Sequence, residues 1–201
     1  MSELTIFARE AAERIKELLE NHQRITVGID GRCASGKTTL ARELELLLGA
    51  AVVHADHFFL RPEQRSDERL SEPGGNLDRE RLLAEVLFPR ARGKEIAYRP
   101  FDCSTRTLGK EIIIPESSVL IVEGSYSLHP VLIKYYDLKI FLTVSETTQR
   151  KRLLSREGAA KAAVFSERWI PLEEAYFKAT ELSKICDMFF EIKDKSVSFV
   201  Q

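Results

Sequence analysis

The residues with the clearest chemistry run from Gly31 to Thr38, in the order Gly-Arg-Cys-Ala-Ser-Gly-Lys-Thr. They match G-x-x-x-x-G-K-[ST], a loop that cradles phosphate with its backbone. The glycines let the chain turn tightly enough for successive N–H groups to point inward at phosphate oxygens. A helix beginning at the second glycine adds unpaired N–H groups and the positive end of its dipole. Gly31, Arg32, Ala34, Ser35, Gly36, Lys37, Thr38 and Thr39 therefore form the expected nucleotide-binding set, with Arg32 at its rim. Lys37 offers a point charge to the β- and γ-phosphates of ATP, and the Thr38 hydroxyl is placed to ligate Mg²⁺.

Two acids stand where such a loop needs them. Asp56 follows the apolar run AVVHA, and Glu123 follows VLIV. Ligands of parallel sheets sit at the carboxyl ends of strands. Glu123 is thus a candidate metal or water ligand. Asp56 is a candidate base, because transfer to a hydroxyl needs a carboxylate that orients the acceptor and takes its proton. Arg150, Arg152 and Arg156 lie on one predicted helix, and Arg168 follows a segment rich in small residues. Arg152 and Arg156, four apart, share a face and could close over a transferring phosphate. Cys33 lies inside the loop near a helix N-terminus, a position that lowers a thiol pKa. ATP is therefore expected to shield it from alkylation. His57 reads as a loop residue outside the chemistry.

These groups require alternating strands and helices to position them. Ile25, Val27 and Ile29 mark a strand before the loop, and Lys37 to Leu48 a helix ending at Gly49. An amphipathic helix covers Glu3 to Glu20, and short strands follow at Ala51 to Ala55, Val119 to Val122 and Leu138 to Thr143. Arg61 to Asn76 reads as a long polar loop, and Leu77 to Leu87 as a helix ending before Pro89. Lys94 to Ile114 suggests a hairpin-like insert. A helix is expected near His129 to Tyr136, another from Ser145 to Arg156, and one from Pro171 to about Ser183. Gly158 to Ser166 looks flexible. Met188 to Ile192 and Val197 to Val200 are expected as terminal strands. The alternation predicts a parallel sheet covered on both faces.

At 201 residues the chain suits one domain, and a net charge of −1 advertises neither a nucleic-acid nor a membrane partner. No apolar run approaches a membrane span. Three widely spaced cysteines point to a reducing, cytoplasmic setting.

Four stretches in order, GIDGRCASGKTTLA, HADHFFL, VLIVEGSYSL and KRLLSREG followed by RWIPLEEAYF, resemble the uridine kinase group of P-loop kinases, related to phosphoribulokinase and bacterial pantothenate kinase. The resemblance spans most of Arg24 to Lys178. It implies a three-layer α/β fold with a mostly parallel five-stranded sheet, a small β-rich insert at about 95–115 and an arginine-bearing lid at about 152–168. It places Asp56 on the catalytic aspartate and Glu123 on the acid before the E-G turn. Phe58, Tyr98, Phe101, Arg106 and Arg168 fall near the acceptor, and members of the group are often homo-oligomers. The chain departs from the group in two places. Arg106 stands about where the group has a base-reading histidine, and Gly75 stands where it has a ribose-holding aspartate. The expected activity is ATP- and Mg²⁺-dependent phosphoryl transfer to the hydroxyl of a small molecule, foremost the 5′-hydroxyl of a pyrimidine nucleoside. Catalysis would rest on Asp56, Lys37, Arg152 and Arg156. A pantothenate-like or sugar-phosphate acceptor, and an ATP-binding switch with no metabolite acceptor, stay open as alternatives.

Overall fold

A computed structural model describes residues 3–193 of the chain. The first half contains α1 (Glu3–Leu19), β1 (Ile25–Gly31), α2 (Lys37–Leu48), β2 (Ala51–His54), α3 (Asp67–Ser71), α4 (Arg79–Leu82) and α5 (Phe88–Ala91). An insert follows, made of β3 (Ile96–Tyr98), β4 (Phe101–Asp102), β5 (Thr107–Leu108) and β6 (Ile112–Ile114). The second half holds β7 (Val119–Glu123), β8 (Leu138–Val144), α6 (Glu146–Glu157), α7 (Ala159–Val164), α8 (Ile170–Thr180), α9 (Leu182–Ile185) and β9 (Met188–Ile192).

Five strands form one parallel sheet in the order β2-β7-β1-β8-β9. Successive side chains of a strand face opposite ways, and both faces here are covered. Ile25, Val27 and Ile29 of β1 and Ile121 of β7 pack with Ala11 and Ile15 of α1 and with Leu40 and Leu44 of α2. Leu120 and Val122 of β7 pack on the other side with Val53, Leu82, Val86, Tyr136 and Tyr176. This explains the unbroken apolar run in β7, since a strand buried on both faces has no polar side. Register aligns the carboxyl ends: Glu123 lies beside His54 of β2 and beside Ile29 of β1.

Several local expectations are corrected. Arg61 to Asn76 is ordered rather than a plain loop: it contains a 3₁₀ turn at Pro62–Gln64 and helix α3, capped by the Ser66 hydroxyl. Arginines hold it in shape. Arg65 Nε donates to the Leu60 carbonyl (2.9 Å), and Arg69 donates to the carbonyls of Gly75 (3.1 Å) and Leu77 (3.0 Å). The helix starting at Arg79, capped by Asp78, does not stop before Pro89. It passes through a π turn at Leu83–Leu87 into α5, and proline is tolerated there because the π turn, in which the Phe88 N–H donates to the Leu83 carbonyl, shifts the hydrogen-bond register just before it. His129 to Tyr136 contains only a 3₁₀ turn at Ile133–Tyr135. Gly158 to Ser166 is helical through α7, then enters a π turn at Phe165–Trp169 that leads into α8. The expected strand at Val197 to Val200 lies outside the described residues. The insert is a nested antiparallel hairpin, β3 with β6 and β4 with β5.

Candidate active site

The chain leaves β1 into the Gly31 to Thr38 loop at the centre of the sheet. Gly31 has φ 138°, and a Cβ there would lie 1.9 Å from the Leu142 carbonyl oxygen of β8. Only glycine fits so close an approach. Within the loop, the Arg32 N–H donates to Leu142 and the Ser35 N–H to Arg32. The backbone N–H groups of Ala34, Gly36, Lys37, Thr38 and Thr39 have no protein acceptor among the described residues. That is a row of aligned donors at the start of α2, which suits the phosphates of a nucleotide. Lys37 is 8% exposed, and its Nζ donates to the carbonyls of Gly31 (2.7 Å) and Arg32 (2.9 Å).

Asp30, just before the loop, is wholly buried. Its carboxylate accepts from the N–H groups of Gly31 (2.7 Å), Tyr126 (3.1 Å) and Leu128 (3.0 Å) and from the Tyr176 hydroxyl (2.9 Å). Burial outweighs those donors and the charge of Lys37, and pushes its pKa up to about 6. The expectation for Cys33 is reversed. Its thiol is buried against Gln149 and near Glu173, and burial followed by the charge of Glu173 raises its pKa to about 12. An inert thiol of this kind gains nothing from the helix end.

Beside the loop, the Thr38 hydroxyl donates to Glu123, 3.2 Å from each carboxylate oxygen. Glu123 is 4% exposed, and His54 Nδ1 lies 2.6 Å from its Oε1. That contact raises the His54 pKa. Hydroxyl and carboxylate oxygens are hard donors suited to Mg²⁺, which keeps several waters and phosphate oxygens in its shell. No group of three or more His, Cys, Asp or Glu among the described residues could hold a metal alone, so the protein would supply only part of such a shell. Gly124 follows with φ 140°, and a Cβ there would lie 3.1 Å from Asp56 Oδ1. Asp56 therefore abuts the strand end that carries Glu123. Desolvation raises its pKa, the charge of Lys37 opposes this and that of Glu123 adds to it. Loop, Glu123 and Asp56 converge at the carboxyl end of the sheet.

The acceptor-side residues divide. His57 Nδ1 lies 3.0 Å from the Tyr98 hydroxyl, with His54 edge-on to His57. Phe58 is wholly buried beneath Tyr98 and Arg81, so it supports Tyr98 instead of facing an acceptor. Phe101 is buried as well. Arg106 sits on the exposed β4–β5 turn in a left-handed conformation (φ 59°), inside a turn that Asp102 caps through the N–H of Ser104. Of the arginines, Arg152 reaches the loop and donates to the Ala34 carbonyl (3.1 Å). Arg156 pairs with Glu157, Arg168 lies over Trp169, and Arg32 pairs with Glu174 (2.9 Å). Gly75 has no room for a side chain, since its Cβ would lie 1.8 Å from the Arg69 carbonyl oxygen.

Sequence reasoning passed over Asp30, His54, Glu173 and Tyr176. An acid within the buried run ITVGIDG was a signal for the first. Nothing in the local sequence pointed from α8 back to the loop.

Fold and loop define a parallel α/β architecture with a phosphate-binding loop at the end of its central strand. Two solved structures share it: a protein described as a fructose transport system kinase from Silicibacter sp. TM1040 (TM-score 0.68, 21% identity, 94% of this chain and 100% of that chain) and a possible uridine kinase from Bacillus stearothermophilus (TM-score 0.64, 19% identity, 90% and 98%). In sequence the chain is 28% identical over 127 residues to uridine-cytidine kinase C of Dictyostelium discoideum, covering 59% of this chain but only 27% of that much longer protein. No family model matches the chain. The chain is thus similar to the uridine kinase group of P-loop kinases, and it carries their five-stranded parallel sheet. No helix among the described residues is long and apolar enough to cross a membrane.

Proposed function

We propose that the protein is a kinase that moves the γ-phosphoryl group of ATP to the hydroxyl of a small, nucleoside-like molecule. The observation that carries this reading is the convergence of three groups at one sheet end: the loop amides with Lys37, Glu123 beside Thr38, and Asp56 against Gly124. The loop amides bind and orient the triphosphate. Lys37 turns from the loop carbonyls toward the phosphates and offsets their charge. Thr38 and Glu123 would hold Mg²⁺, which when bound neutralises charge on the β- and γ-phosphates. Asp56 orients the acceptor and takes its proton as the new O–P bond forms and the bond from the γ-phosphorus to the β–γ bridging oxygen breaks, releasing ADP. A raised pKa suits that role, because a base nearer to neutral pH accepts a proton more readily. Arg152 braces the loop. Arg156 and Arg168, on the lid at about 152–168, close over the phosphates and exclude water. A cytoplasmic enzyme, as a monomer or a homo-oligomer, fits this chemistry.

The similarity to uridine-cytidine kinase C supports a pyrimidine nucleoside as acceptor. A second acceptor class is favoured by one observation. Gly75 leaves no space for an acid that would hold ribose hydroxyls, while Arg106 on the exposed β4–β5 turn offers a guanidinium on the insert. This supports an anionic acceptor such as a sugar phosphate. Incubation with ATP·Mg²⁺ and a panel of nucleosides and sugar phosphates, followed by identification of the phosphorylated product, decides between them. Asp56→Asn should lower turnover by roughly 10²–10⁴-fold with ATP affinity largely kept. Near-normal turnover in that variant refutes the assignment.

A further inference from the structure

One buried carboxylate has no part in the chemistry above. Glu173, in the first turn of α8, is 3% exposed. Its Oε2 accepts the Cys33 N–H of the phosphate loop (3.0 Å), and its Oε1 accepts the Ser125 hydroxyl (2.6 Å). Ser125 is two residues beyond Glu123. A single side chain thus spans the loop and the strand end that bears the second acid. Two more contacts run along the same seam: the Tyr176 hydroxyl to Asp30 (2.9 Å) and Arg32 to Glu174 (2.9 Å). Three nearly consecutive residues of the loop region are therefore tied to one turn of α8.

The bonding divides the loop amides into two sets. The Cys33 amide is committed to Glu173, while those of Ala34, Gly36, Lys37, Thr38 and Thr39 have no protein acceptor among the described residues. The first set shapes the loop and the second is available to a ligand. Hydrogen bonds to a buried carboxylate are stronger than neutral ones, so the bridge is stiff. What it fixes is the relation of the loop, and with it Thr38, to the Glu123–Ser125 strand end.

We propose that Glu173 is a positioning residue that, with Ser125, sets the spacing between Thr38 and Glu123 and so governs how tightly Mg²⁺ binds together with a nucleotide. The inference rests on the kinase reading above. It concerns the metal-dependent part of nucleotide binding, because the amides that grip phosphate are left untouched.

The test is calorimetric titration with ADP, with and without Mg²⁺, on the full chain and three variants. For the wild type, Mg²⁺ should strengthen ADP binding. In Glu173→Ala that increment should shrink by roughly 10-fold, and in Ser125→Ala by roughly 3-fold, since each removes hydrogen bonds of the bridge. Glu173→Gln, whose amide oxygen can still accept from Cys33 while its NH₂ donates to Ser125, should stay within about 2-fold of wild type. Mg²⁺-free ADP affinity should change by less than about 2-fold in all three. An unchanged increment in Glu173→Ala or Ser125→Ala overturns the proposal. So does an equal loss with and without Mg²⁺, which would mark a merely structural support. If Glu173→Ala fails to fold, Ser125→Ala decides alone. A wild type that binds no ADP overturns the kinase reading itself, a result distinct from either of these.

Discussion

The two sides of the cleft are built by different means. On the phosphate side the main chain does the positioning: buried strands end in tight turns, and buried carboxylates gather their N–H groups, four donors converging on Asp30 alone. On the acceptor side, long arginine side chains do it. Arg69 holds the Gly75 and Leu77 carbonyls, Arg81 holds that of Arg99, and Arg99 holds that of Gly109 (2.8 Å). The strands there are two or three residues long. Backbone donors read phosphate, which every nucleotide shares. On the proposed reading the acceptor-side groups sit on these short ribbons, with Tyr98 and Phe101 buried and Arg106 exposed. On that reading a phosphate site built by the main chain lies beside an acceptor site built by side chains.

The largest expected effect lies where the two sides meet. Asp56 follows β2 and abuts Gly124, and the loss of roughly 10²–10⁴-fold in turnover anticipated for Asp56→Asn should appear without a change in stability comparable to that from disturbing the loop. Gly31→Ala tests the phosphate side directly. Its new methyl would meet the Leu142 carbonyl at 1.9 Å, at φ 138°, and strain plus overpacking should cost roughly 3 kcal/mol. Gly49→Ala is the control: it is also left-handed (φ 63°) but has no atom within 4 Å of its added methyl, so about 1 kcal/mol is expected. Urea denaturation of both variants checks the difference. Equal losses would mean that the loop is less closely packed than its geometry indicates.

A third effect belongs to Asp30. Its pKa rises from 3.8 unfolded to about 6 folded, so between those values the folded state holds a proton that the unfolded state releases. Its contribution to stability is therefore fully present below about pH 4, falls as pH rises through 6, and is level above that. The loss amounts to roughly 2–3 kcal/mol. Asp30→Asn removes this slope. The stability difference, wild type minus variant, should thus shift against the wild type by that amount between pH 4 and 7 in chemical denaturation. A pH-independent difference would show that the four donors fully offset burial.

What could be read in the sequence follows the same division. The loop, the strand before it, the two strand-end acids and the Gly49 helix stop were all legible, because each rests on local rules: a glycine spacing, an apolar run, a cap. The described structure puts the loop and the two acids together at one sheet end. Arg61 to Asn76 was misread as a loop because its order comes from arginines bonding to carbonyls up to eight residues away, which composition does not reveal. The helix through Pro89 was missed because a π turn relieves the proline. Glu173 and Tyr176 lie more than 130 residues from the Cys33 and Asp30 groups they bond. Long-range pairs of this kind leave no periodic trace.

The smallest effect sharpens the contrast most. Arg106 sits on the exposed β4–β5 turn, its backbone fixed by the Asp102 cap and its side chain outside the core. Arg106→Gly suits the positive φ and removes the guanidinium, so stability should stay within about 0.5 kcal/mol of wild type. If Arg106 reads an anionic acceptor, KM for that acceptor should rise by roughly 10-fold while KM for ATP and kcat hold. A matching rise in both KM values would place Arg106 on the shared phosphate path instead, and acceptor recognition would pass to the paired His57 and Tyr98.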